Sequence, residues 1–152
     1  MTIQQDKDSA APYLPPGTPR PVVSGDGLDA PYWEGTRRHA LMVQRCADCQ
    51  SYQWEPEWIC HACQSEAVDW VETPARGRVY AWTRVWHPVH PGLVEGIPYI
   101  VVVVELPEAG NVRMAGNLVG DPNQQVRSGD EVAAAFEDNV DGYTLVQWAA
   151  IR

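Results

Sequence analysis

The chain has 152 residues, 45% of them hydrophobic, and a formal net charge of −9, which suits one ordinary domain plus a small appendage and excludes two full domains. Among its 11 basic residues only Lys7 is a lysine and the arginines are scattered, so the clustered cations that a nucleic-acid ligand demands are missing. The longest purely apolar run, residues 100–104, is far short of the roughly 20 residues that cross a membrane.

Residues 1–28 read as an extended or disordered arm. They are polar at first, then carry Pro12, Pro15, Pro16, Pro19 and Pro21 before ending in Ser24, Gly25, Asp26 and Gly27, a composition that can neither form a helix nor bury much surface. Tyr13, Leu14, Val22 and Val23 would let it drape over a neighbouring surface. Residues 1–11 lack the apolar stretch of a signal peptide, and a soluble, cytoplasmic protein is expected. In that reducing setting paired cysteines are metal ligands rather than disulfides.

A short helix is predicted to start with Asp29 as N-cap and Pro31 in its first turn, with Gly35 keeping it short. A strand over residues 39–45 then runs into Cys46-x₂-Cys49, followed after ten residues by Cys60-x₂-Cys63. Each C-x₂-C bends into a knuckle that points two sulfurs at one centre, and two knuckles complete a closed tetrahedral set for a structural Zn²⁺. Iron in the same four-sulfur set is the alternative, and two disulfides are the other. Such a site has no open position for Lewis-acid chemistry; its role is to fold a segment too small for its own core. Tyr52, Trp54 and Trp58 are expected to pack around the sulfurs or against the following domain, and His61 to be solvated.

From Val68 onward the pattern is all-β. Residues 77–87 alternate, with Val79, Ala81, Thr83 and Val85 on one face and Tyr80, Trp82, Arg84 and Trp86 on the other. Further strands follow over 98–106, 112–119, 131–137 and 144–151, with turns at 120–123, 128–130 and 141–142. Five short strands separated by turns fit a closed OB-type barrel, with a sandwich fragment as the alternative. The predicted organisation is therefore mainly β, with an arm over 1–28, a helix plus zinc ribbon over 29–67 and a five-stranded OB-fold barrel over 68–152.

The ordered set of Arg45-Cys46-x₂-Cys49, Pro56-x₃-Cys60-x₂-Cys63, Gly77-x-Val79-x₃-Thr83, Pro98-Tyr99-Ile100, Val104-Glu105-Leu106 and Gly129-Asp130-x-Val132 resembles the rubredoxin-like zinc-ribbon OB-fold family known as domain of unknown function thirty-five. The resemblance runs from about Asp29 to the C-terminus. It implies a small non-catalytic subunit that partners a thiolase-like or other acyl-CoA enzyme in a hetero-oligomer, its ribbon and barrel acting as an assembly platform or as part of the channel for the acyl-CoA substrate. One departure stands out: family members often place Gly directly after each second cysteine, where this chain has Gln50 and Gln64. If those positions need a left-handed backbone, each glutamine costs about 1–2 kcal/mol.

Other side chains qualify as ligand or partner contacts. His87 and His90 lie three apart in the loop after the first barrel strand and could take part in metal binding or acid–base work. Trp82, Arg84 and Trp86 suit burial against the ribbon or a partner subunit, with stacking of a CoA adenine or of single-stranded nucleic acid as other uses. Arg76 and Arg78 flank Gly77, the best local arrangement for a phosphate, although surface ion pairing is the commoner role of such residues. No free cysteine and no serine in a recognisable elbow offers a nucleophile, so the chain is expected to be accessory to an enzyme. A stand-alone acyl-CoA binder is the alternative, and a single-stranded nucleic-acid binder follows from fold analogy alone.

Overall fold

The computed structural model describes residues 13, 15–19, 22, 26–138 and 142–151. Most of the expected N-terminal arm lies outside them. Some of its described residues touch the rest of the chain: the Tyr13 hydroxyl donates to the Leu118 carbonyl at 3.1 Å, and Pro15 abuts Gly96, where an added Cβ would come within 2.7 Å of its ring; Val22, by contrast, is exposed.

Helix α1 (Ala30–Arg37) carries Pro31 in its first turn as predicted, but Asp29 does not cap it through its side chain. That carboxylate instead accepts the Trp33 indole N–H at 2.8 Å. The helix also runs two residues past Gly35. Gly35 is a contact point rather than a terminator, since a Cβ there would sit 2.3 Å from the Met42 side chain. Termination falls to His39, which adopts φ 58° while Ala40 N–H bonds back to the Gly35 carbonyl at 2.9 Å and His39 N–H to Thr36 at 2.9 Å. This is the Schellman arrangement with histidine in the place that glycine usually holds.

Three strands, β1 (Leu41–Cys46), β2 (Tyr52–Gln53) and β3 (Val68–Thr73), form an antiparallel sheet in the order β2-β1-β3. β3 lies in the span read from the sequence as barrel, yet it pairs with β1 over its whole length, from Leu41↔Thr73 to Cys46↔Val68. The barrel proper comprises β4 (Arg76–Val85), β5 (Tyr99–Leu106), β6 (Val112–Asn117), β7 (Glu131–Asp138) and β8 (Thr144–Ala150), in the order β6-β5-β4-β7-β8. The two outer strands meet through a single parallel bridge, Leu118↔Trp148, reinforced by Val119 N–H to the Trp148 carbonyl at 2.7 Å and Asn117 N–H to Gln147 Oε1 at 3.0 Å. The barrel is thus nearly closed, which removes most of the sheet edge that would otherwise invite aggregation.

The core fills because alternate residues of β5, namely Ile100, Val102, Val104 and Leu106, all point inward and are buried with Val79, Met114, Leu118, Val126, Val132 and Trp148. Leu41 and Val43 of the ribbon strand β1 belong to that same cluster. Ribbon and barrel therefore share one core. Gly77 allows the closest approach: a Cβ there would lie 2.3 Å from the Glu105 carbonyl oxygen. Among the described residues no helix is long and apolar enough to cross a membrane.

Candidate metal centre and partner surface

The metal centre is built by local backbone bonds that repeat in both knuckles. Cys46 N–H bonds to Ser51 at 2.9 Å and Cys60 N–H to Ser65 at 2.8 Å; Gln50 and Gln64 bond back to the Cys46 and Cys60 carbonyls at 3.0 and 2.9 Å. Both glutamines do adopt the left-handed backbone, with φ 64° and 61°. The glycine-like geometry is thus kept with residues that strain in it. Backbone amides also point at sulfur: Cys49 N–H lies 3.5 Å from Cys46 Sγ and Ala62 N–H 3.4 Å from Cys60 Sγ.

The four sulfurs lie within 4.8 Å of one another. Cys46 and Cys63 are 3.6 Å apart, and Cys49 and Cys60 3.5 Å. A disulfide requires about 2.05 Å, so both pairings are ruled out in this geometry. Four thiolates about 2.3 Å from one zinc stand roughly 3.8 Å from each other, which these sulfurs approach without rearrangement. The donor set fits structural zinc. Among the thiols, contact with the Ser51 side chain and backbone draws Cys49 down to about 6. Cys63, although a backbone bond from Ser65 lowers it, is pushed up to about 12 by the neighbouring sulfurs, Cys49 first. Thiolates this close repel one another, and a divalent cation at their centre offsets that repulsion.

Sequence reading missed the support beneath this centre. Gln44 and Gln53, both buried, bond to each other and to the segment between the knuckles: Gln44 Oε1 accepts from Gln53 Nε2 at 2.8 Å and from Glu57 N–H at 2.9 Å, while Gln44 Nε2 donates to the Glu57 carbonyl at 3.0 Å. Gln53 in turn donates to the Ile59 carbonyl at 3.1 Å and accepts from His61 N–H at 3.0 Å. His61 itself is exposed. Of the three aromatics expected near the sulfurs or the barrel, Tyr52 and Trp54 pack against the core cluster, whereas Trp58 is 61% exposed beside exposed Ile59.

The even alternation expected along the first barrel strand is broken. The register slips between Val79 and Ala81, a bulge at Tyr80 that sends the residues after it to the opposite face. Trp82 lies opposite buried Val102 and Arg84 opposite buried Ile100. Tyr80 is thereby separated from them, and the Arg113 guanidinium sits 3.5 Å from its ring centroid. Arg84 lies 5.6 Å from the Trp82 ring and 6.0 Å from Trp86. It donates to the carbonyls of Pro122 at 2.8 Å and Gln124 at 2.6 Å, pinning the loop before β7.

His90 accepts Gly92 N–H at 3.0 Å through Nδ1, capping the short 3₁₀ turn Pro91–Gly96. His87 is exposed, and the ligand cluster found among the described residues contains the four cysteines and neither histidine. Arg76 and Arg78 face carboxylates, Glu108 at 3.8 Å and Glu131 at 3.9 Å, surface pairs of small energetic weight.

Two family models match the chain: the rubredoxin-like zinc ribbon domain of ChsH2 over residues 33–69 and the C-terminal OB-fold domain of ChsH2 over residues 70–137. The chain is 37% identical over 102 residues to a probable enoyl-CoA hydratase alpha subunit of Thermomonospora curvata, covering 67% of this chain and 30% of that protein. It is 33% identical over 129 residues to the 3-oxo-4,17-pregnadiene-20-carboxyl-CoA hydratase alpha subunit of Mycobacterium tuberculosis, covering 85% and 39%. It therefore spans well under half the length of both relatives. Among solved structures it is similar to a chain of the Ltp2-ChsH2(DUF35) aldolase, with TM-score 0.73, 30% identity and coverage of 86% of this chain and 98% of that one. A protein of unknown function from the DUF35 family of Sulfolobus solfataricus shares the fold at TM-score 0.54 and 12% identity, over 80% and 84% of the two chains.

Proposed function

The chain belongs to the zinc-ribbon OB-fold family of ChsH2 and the DUF35 proteins, and on that footing we propose that it is a non-catalytic accessory subunit that binds a thiolase-like or other acyl-CoA enzyme in a hetero-oligomer and helps to form its CoA-thioester channel. The observation that carries this reading is the match to a chain of the Ltp2-ChsH2(DUF35) aldolase over 98% of that chain's length. The closed four-cysteine centre supports it, because a structural site positions a hairpin and leaves no coordination position for chemistry. So does the exposed apolar surface at the end of β4 and in the following loop, where Trp82 is 39% exposed, Trp86 63% and Val89 79%. Residues 82–94 contain no carboxylate although the chain has 20. An aromatic patch free of carboxylates on an acidic protein, with Arg84 as its one charge, suits a protein interface.

The test is affinity capture from the native host, with the recovered complex weighed by native mass spectrometry. A CoA-thioester enzyme recovered in fixed stoichiometry supports the role. Robust turnover of acyl-CoA by the purified chain alone would sink it.

A second reading, free acyl-CoA binding, is favoured by a slot of about 340 Å³ lined by Trp82, Arg84 and residues 123–127. Calorimetric titration with acetyl-CoA and a bulky acyl-CoA decides it, and flat traces with both remove it.

A further inference from the structure

We propose that the cleft between α1 and the segment joining the two knuckles is a receptor for one arginine side chain presented by a polypeptide partner. The cleft is lined by Leu28, Asp29, Tyr32, Trp33, Trp54, Glu55 and Pro56 and holds about 290 Å³. That lies at the lower end of the roughly 300–1,000 Å³ of ligand pockets and leaves room for a single side chain. Its walls are aromatic. The Tyr32 ring lies 4.9 Å from Trp54, tilted by 51°, and 5.1 Å from Trp33 at 73°; Trp70 and Tyr143 back these rings at 6.5 and 5.6 Å. All three wall rings are half-buried, so their faces are held in place before any ligand arrives.

The two carboxylates of the cleft favour a cation. Asp29 is fixed by the Trp33 indole N–H at 2.8 Å, and Glu55 is exposed at the rim. The Tyr32 hydroxyl has no hydrogen-bond partner among the described residues, and burial pushes its pKa up to about 12, so it stays neutral and offers an oxygen lone pair. Two carboxylates beside π faces are complementary to a guanidinium, which stacks on rings and donates in its own plane at the same time. An ammonium has no flat face to lay against indole. The inference deepens the docking role proposed above and rests on it only for the identity of the molecule that presents the arginine.

The experiment needs no partner. The zinc-loaded full chain, labelled with ¹⁵N at tryptophan, is titrated with N-acetyl-arginine amide while the indole N–H resonances are followed, those of Trp33 and Trp54 being identified by Phe substitution. Expected are saturable shifts at Trp33 and Trp54 with Trp82 and Trp86 unmoved. N-acetyl-citrulline amide, of the same shape without charge, binds at least about tenfold more weakly. Glu55→Gln, an exposed change that leaves the fold intact, weakens arginine binding by a similar factor, which keeps the test decisive even if Asp29→Asn perturbs α1. Absence of a saturable shift, or equal response to citrulline, overturns the proposal. Either result is independent of whether an acyl-CoA enzyme is ever recovered with the chain.

Discussion

Gln44 and Gln53 face each other across the first two ribbon strands and hydrogen-bond at 2.8 Å, and both are buried. Their amides also hold Glu57, Ile59 and His61, so two side chains from one hairpin shape the whole segment between the knuckles. Fully satisfied buried networks of this kind specify one conformation, and removing a member strands its partners. Gln53→Ala should cost about 2–3 kcal/mol and speed zinc loss to a chelator. Denaturant unfolding together with a colorimetric zinc-release assay measures both, and wild-type values for each would contradict the structural role given to this pair.

The ribbon contributes Leu41 and Val43 to the common core, so metal loss should be felt beyond the ribbon. Cys60→Ser is expected to abolish stoichiometric zinc and lower the melting temperature of the barrel as well, since structural zinc contributes on the order of 10 kcal/mol in small ribbon-type domains. Metal analysis and calorimetry report the two effects. A barrel that melts unchanged would show that the modules are energetically separate.

The left-handed glutamines offer a gain. Gln64→Gly relieves the strain at φ 61° and should stabilise by about 0.5–1 kcal/mol, while Gln64→Val should destabilise by more than that. Chemical denaturation of the zinc-loaded variants checks the sign.

Gly77→Ala drives a methyl group towards the Glu105 carbonyl oxygen, which would lie 2.3 Å from it, at the point where β4 passes between β5 and β7. A loss of about 3 kcal/mol or an insoluble product is expected. Gly129→Ala meets no atom within 4 Å but keeps a φ of 95°, so it should cost about 1–2 kcal/mol and stay soluble. The pair separates steric exclusion from backbone strain.

Trp86→Ala removes an exposed ring and should change stability by less than about 0.5 kcal/mol. Under the accessory-subunit reading it should still weaken complex formation by about tenfold or more, as truncating an aromatic anchor does. Native mass spectrometry of the recovered complex provides the readout.

Much of this molecule is local information, and local information is legible. The four cysteines announce their centre because the C-x₂-C knuckle is a property of four consecutive residues. Gln50 and Gln64 could be marked as strained because their place in the knuckle dictates φ. The strand set of the barrel follows from period-2 alternation and turn residues, and the arrest of each strand from Gly, Pro and Asn. Pairing partners are another matter. That β3 joins the ribbon rather than the barrel is set by its registry with β1, from Cys46↔Val68 to Leu41↔Thr73, a contact between residues distant in sequence for which composition holds no signal. The bulge at Tyr80 inverts the expected faces of Trp82 and Arg84 because one extra residue is absorbed where β4 bends around the core, and no alternating pattern records it. Gln44 reads as one more polar residue ahead of Arg45 and Cys46 until the fold carries Gln53 opposite it. The sequence by itself thus determined the metal site, the element types and the family. The tertiary structure alone decided which faces meet, because burial and registry are settled between segments, by the shared core that each strand must help to close.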